Sequence, residues 1–130
     1  MVYLVKYTKT YLNENNIPIV TGISEEEIDT NNYNELIEIF NNKNKLTENT
    51  YFSINEIIEL QEFLVCYTNV FYECKFGYCD ISDELIYALN KEDAKRKFYL
   101  QFPNTEYTKN HIDKIFSKEE FTMECNKYNN

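Results

Sequence analysis

Four cysteines (Cys66, Cys74, Cys79, Cys125) and a single histidine, His111, are the side chains of this 130-residue chain best suited to ligate a metal or act as a nucleophile. Structural zinc sites need cysteine pairs close enough to bend around the ion. Cys74 and Cys79 meet that spacing only at its outer limit, Cys66 is out of register with them, and no second pair exists. The sequence therefore predicts no metal site. Cys–His nucleophilic chemistry needs a thiol of lowered pKa beside a base. Alternation along the chain around residue 66 predicts that Cys66 and Cys74 point into the core, where a thiolate is disfavoured. The expectation is free thiols in a reducing cytoplasm, although a turn at Phe76-Gly77 would set Cys74 opposite Cys79 and allow a disulfide in an oxidising medium.

Carboxylates are the other candidates. A general acid and base pair needs one buried and one wet carboxyl, and glutamates standing off amphipathic helices are all wet. Asp80-Ile-Ser-Asp83-Glu84 reads as a compact acidic loop, without the spacing or glycine of a calcium-binding loop. Gly22 and Gly77, the two glycines of the chain, stand alone, which excludes the common nucleotide-binding loops. No cofactor is expected, and the chain reads as a non-enzyme.

Charge is the most informative feature. The chain carries 22 acids against 13 bases, a net of −9 with a pI near 4.6. That balance argues against direct binding to nucleic acid or to an anionic membrane. Residues 14–62 hold eleven acids and two lysines, so this one segment accounts for the whole excess. Glu56, Glu59 and Glu62 recur every third residue, Glu35 and Glu38 do the same, and Glu25, Glu26 and Glu27 form a run. On a helix, residues three apart are surface neighbours about 5–6 Å apart. Such a row predicts an anionic face that enters a basic groove. Lys91, Lys95, Arg96 and Lys97 make a small basic patch that reads as a salt-bridged helix surface.

The elements that must position these groups follow from periodicity. Residues 2–12 predict a strand with Tyr3, Val5, Tyr7 and Tyr11 on one face, and 17–23 a return strand with Pro18 at an edge or start. Ser24–Glu27 matches a capping box and predicts a turn of helix. A helix over 33–42 buries Tyr33, Leu36, Ile37 and Phe40. Ser53–Glu56 is a second capping box, predicting a helix with Ile54, Ile57, Ile58 and Leu60 inward. From 63 to 76 the period is two, with Leu64, Cys66, Thr68, Val70, Tyr72, Cys74 and Phe76 on one face, and a strand returns through 78–81 or 85–89. Asn90 caps a helix over 91–102 carrying Ala94, Phe98 and Phe102. A strand over 105–116 and a terminal helix from Ser117, with Phe121, Cys125 and Tyr128 in line, complete the chain.

No internal repeat or linker is evident in this pattern. The prediction is a single α+β domain over 1–130, a mostly antiparallel sheet with helices on one face. Residues 84–116 resemble half of a ferredoxin-like split βαβ unit, an architectural likeness without functional content. The abundance of Asn, Ile, Lys and Tyr, with Arg and Ala scarce, fits the A/T-rich codons of a low-GC bacterium or its phages and plasmids. Together these features suggest a cytoplasmic phage or mobile-element inhibitor of the anti-CRISPR type. Its partner would be a host protein or ribonucleoprotein with a Lys/Arg-lined groove, and Tyr and Phe would supply apolar anchoring. Alternatives are an immunity protein against a nuclease toxin, a small-ligand-binding protein or enzyme with a pocket near Asp80, Asp83 or His111, and a structural subunit.

Overall fold

The computed structural model describes residues 1–44, 49–73 and 76–128. Among these residues seven strands, all in antiparallel pairs, and three helices form the expected α+β fold. The strands belong to two sheets rather than one, and the chain divides into two compact units, Met1–Leu60 and Gln61–Asn130.

In the first unit β1 (Val2–Leu12) is central. Along one side it pairs with β2 (Pro18–Val20) and then β3 (Ser24–Asp29), and along the other with β4 (Thr50–Glu59). Pro18 begins the short edge strand β2, where its missing N–H costs no ladder bond. Helix α1 (Tyr33–Lys43) is capped by Asn32, whose side chain accepts from the Asn34 N–H. It lays Leu36 and Phe40 on Tyr3, Val5 and Ile28. Tyr33 and Ile37, assigned inward by periodicity, are exposed.

In the second unit β5 (Gln61–Glu73) is central, between β6 (Phe76–Ala88) and β7 (Thr108–Ser117). Helix α2 (Lys91–Gln101), capped by Asn90 as expected, buries Ala94 and Phe98 against Phe63, Val65 and Tyr67. Helix α3 (Lys118–Tyr128) follows β7.

The two units share one plan. In each, a central strand is followed by an antiparallel edge strand, a helix, and an edge strand on the opposite side: β1-β3-α1-β4 and β5-β6-α2-β7. The registers coincide as well. Tyr3, Val5 and Tyr7 pair with Ile28, Glu26 and Ser24; sixty residues on, Phe63, Val65 and Tyr67 pair with Ile86, Glu84 and Ser82. Both ladders to the last edge strand break at the same step, Lys6/Tyr7 and Cys66/Tyr67. Asn32 and Asn90 cap the helices, and the buried Phe40 and Phe98 each contact the equivalent tyrosine, Tyr7 at 5.0 Å and Tyr67 at 4.8 Å between ring centroids. With this register as guide the repeat becomes visible in sequence: Tyr3-Leu-Val-Lys-Tyr-Thr8 beside Phe63-Leu-Val-Cys-Tyr-Thr68, and Ser24-Glu-Glu-Glu-Ile28 beside Ser82-Asp-Glu-Leu-Ile86. The expectation of no internal repeat is thus corrected; β6-α2-β7 is the split βαβ arrangement foreseen, and the first unit has it too.

Several local expectations are overturned for one reason: strand pairing outweighs a local capping signal. Ser24–Glu27 lies in β3, not in a helical turn, and Ser53–Glu56 lies in β4. Ile54 and Ile57 imitate a helical stripe because the β1–β4 register shifts at Asn55, which adds one residue between two inward positions. Asp80–Glu84 is no loop; it sits within β6 opposite Val65–Asn69. Gly77 also lies in β6, paired with Tyr72, so it is not at a turn, and Cys79 pairs with Val70. Cys74 lies outside the described residues, and Cys79 is free. The inward face of β5 is the reverse of the predicted one: α2 covers Phe63, Val65 and Tyr67, leaving Cys66 on the opposite face. In α3, Phe121, Cys125 and Tyr128 are exposed, so the helix has no buried stripe.

Candidate functional site

β3 carries the acidic run in a form that a helix could not. A strand turns alternate residues to opposite faces. Ile28 enters the core beneath α1, so Glu25, Glu27 and Asp29 share the other face at intervals of about 6.8 Å, two residues of extended chain. β3 can hold like charges in a row because its partner strand supplies a counter-charge. Glu25 and Glu56 are both register partners of Lys6, and their carboxylates lie 4.0 and 3.9 Å from its Nζ. One lysine thus sits between two glutamates across three strands. Asp29 lies 3.6 Å from the N-terminal amine. The side chains of Glu25 and Glu56 are 57% exposed and that of Asp29 80%, so these pairs are water-screened and add little stability.

The remaining predicted acids are dispersed. Glu26 faces the α1 side, 3.6 Å from Lys43 Nζ and accepting from the Asn44 side-chain amide. Glu35 and Glu38 are exposed on α1, where Glu35 accepts from the Thr30 hydroxyl. Glu59 pairs with Tyr3 at the end of β4, on the face opposite Glu56. Glu62 belongs to the second unit, where Tyr87 donates to it and Lys118 stands 3.9 Å away. The three-residue rhythm of Glu56, Glu59 and Glu62 therefore forms no stripe. The face that does form is Glu25, Glu27, Asp29 and Glu56; Asp29 was missed, though its alternation about Ile28 was the signal. The first unit remains the more acidic, with ten acids against four lysines, compared with twelve against nine in the second.

Apolar side chains are exposed toward the other end of β1, and Val20 and Tyr51 share the face of the acidic strip. Ile17, Ile19, Val20 and Ile23, on and beside β2, are exposed together with Tyr11 and Tyr51. Thr10 pairs with both Val20 and Tyr51, so these two flank one row of the sheet.

Cys66, Asp83, Asp113 and His111 share one face of the second sheet. Cys66 has its pKa raised, first by partial burial and then by the nearby carboxylates of Asp83 and Asp113, which Lys114 only partly offsets. A thiol so placed stays protonated and is a poor nucleophile. His111, 79% exposed, is 4.0 Å from Asp113, which also accepts from the Thr68 hydroxyl at 2.6 Å. Among the described residues no group of His, Cys, Asp and Glu could hold a metal ion. Three of the four bases of the α2 patch are engaged: Arg96 bonds Asp93 at 2.7 Å, Lys97 donates to the Tyr87 carbonyl, and Lys91 pairs with Glu120. No described helix is long and apolar enough to cross a membrane.

Comparison with known proteins finds no family model, no curated protein and no solved structure that matches this chain.

Proposed function

We propose that this chain is a non-enzymatic binding protein whose first unit docks its acidic face into a Lys/Arg-lined groove on another protein. In its most concrete form it is a phage or mobile-element inhibitor of a host nucleic-acid-processing defence complex. The observation that carries this reading is the β3 row of Glu25, Glu27 and Asp29 on one face, with Glu56 across from it. Opposite potentials speed encounter and select partners. The exposed Val20 and Tyr51 on the same face supply the apolar contact that charge alone lacks. Occupying such a groove excludes nucleic acid by competition.

The test is capture from a low-GC bacterial lysate on the immobilised chain, with bound proteins identified by mass spectrometry. A basic nucleic-acid-processing protein should be retained, released by rising salt, and lost on E25K/E27K/D29K. Equal capture by that variant, or elution indifferent to salt, would overturn the reading. Capture of a toxin nuclease instead would assign the same face to an immunity protein.

A further inference from the structure

We propose that two copies of this chain dimerise face to face through the surface of β6-β5-β7 opposite α2, about a two-fold axis running along β5. The register writes this surface as rows across three strands: Leu85–Leu64–Phe116, Asp83–Cys66–Lys114, Ile81–Thr68–His111 and Cys79–Val70–Lys109. A two-fold axis along the middle strand keeps each row in place and exchanges its ends. Asp83 then meets Lys114 of the second copy, twice, while Leu85 meets Phe116 and Ile81 meets the His111 ring. Opposed charges at the row ends with neutral Cys66 between them are what a self-complementary interface requires.

The repeat sharpens the point. In the first unit the row equivalent to Asp83–Cys66–Lys114 is Glu25–Lys6–Glu56, in which the central lysine answers both ends within one chain. In the second unit the centre has become cysteine and one end a base, so the middle of the row no longer answers either end, and Asp113, the extra residue at the register shift, adds a carboxylate on the same face beside Lys114. Glu27 likewise has Leu85 as its counterpart. Ile81 and Leu85 stand 79% and 51% exposed, so two of the row ends offer apolar contact. α3 approaches this face at one end, where the Phe121 ring meets Phe116 at 6.1 Å.

Four rows about 6.8 Å apart on three strands about 4.8 Å apart give a footprint of roughly 400 Å² per copy, about half the standard share of an interface. The dimer is therefore concentration-dependent and weak. Sedimentation of the full chain, wild type beside D83K, K114D and the double swap, tests it, with circular dichroism checking that each variant folds. Each single reversal should weaken dimerisation at least tenfold, and the double swap should return it to within about threefold of wild type. A wild type that stays monomeric at its highest soluble concentration, or a double swap no better than the singles, overturns the proposal. Neither result bears on the acidic face of the first unit, which all four proteins share.

Discussion

Phe40→Ala and Phe98→Ala are equivalent substitutions in the two repeats, and they test whether each repeat has its own core. Both rings are essentially inaccessible, and the two core clusters share no residue. Phe98 packs on Tyr67, Tyr99 and Phe102, with ring centroids 4.8, 5.2 and 5.1 Å away, so deleting it leaves a cavity that rigid aromatic neighbours cannot refill. Such truncations cost about 3–5 kcal/mol. A unit of this size holds only about 3–10 kcal/mol in total, at roughly 0.05–0.15 kcal/mol per residue. Amide exchange read by mass spectrometry should therefore rise by about 10²- to 4 × 10³-fold in the slowest peptides of residues 61–130 for Phe98→Ala, with 1–60 unchanged. Phe40→Ala should give the mirror image. Equal loss of protection in both halves, or a cost under about 1 kcal/mol, would refute the assignment of two cores.

Glu120 is held down to about 2 by Lys91 and by the Ser117 N–H and hydroxyl. A carboxylate with a lowered native pKa stabilises above its ordinary value of 4.5 and loses that contribution as pH falls toward 2. The far-ultraviolet helical signal should decline over that window, and Glu120→Gln should flatten the decline. Cys66 should alkylate more slowly at neutral pH than the exposed Cys79 and Cys125, and Asp83→Asn should speed it; equal rates in both proteins would contradict the raised pKa. Asn110 is buried, accepts from the Asn69 amide at 2.6 Å and donates to the Phe102 carbonyl. Asn110→Leu leaves those groups unpaired and should cost about 1–3 kcal/mol by urea denaturation; a neutral result would show the network to be idle.

Strands β1, β5 and β7, the helices expected over 33–42 and 91–102, and the caps at Asn90 and Ser117 were legible because their signals are local. Ser117 and Glu120 bond reciprocally, each backbone N–H to the other's side chain, as their spacing predicts. Ser24 and Ser53 carry the same local signature yet enter strands, because each segment pairs with β1 over its length. Which face of β5 is inward depends on where α2 lands, and alternation alone cannot say. The repeat was hidden because the two helices share little beyond a capping Asn and the buried Phe, while the register that aligns the rest is a property of the sheets. The acidic segment was recognised, but its geometry was misread: helical spacing selected Glu59 and Glu62, whereas strand alternation selects Glu25, Glu27 and Asp29.

The most direct measurement of the central claim is an NMR titration of the isotope-labelled chain with deca-arginine at low and raised salt. The account predicts amide shifts concentrated in residues 25–29 and 55–58, weakening as salt screens the contact. Shifts spread evenly over both units, or centred on 61–128, would contradict it.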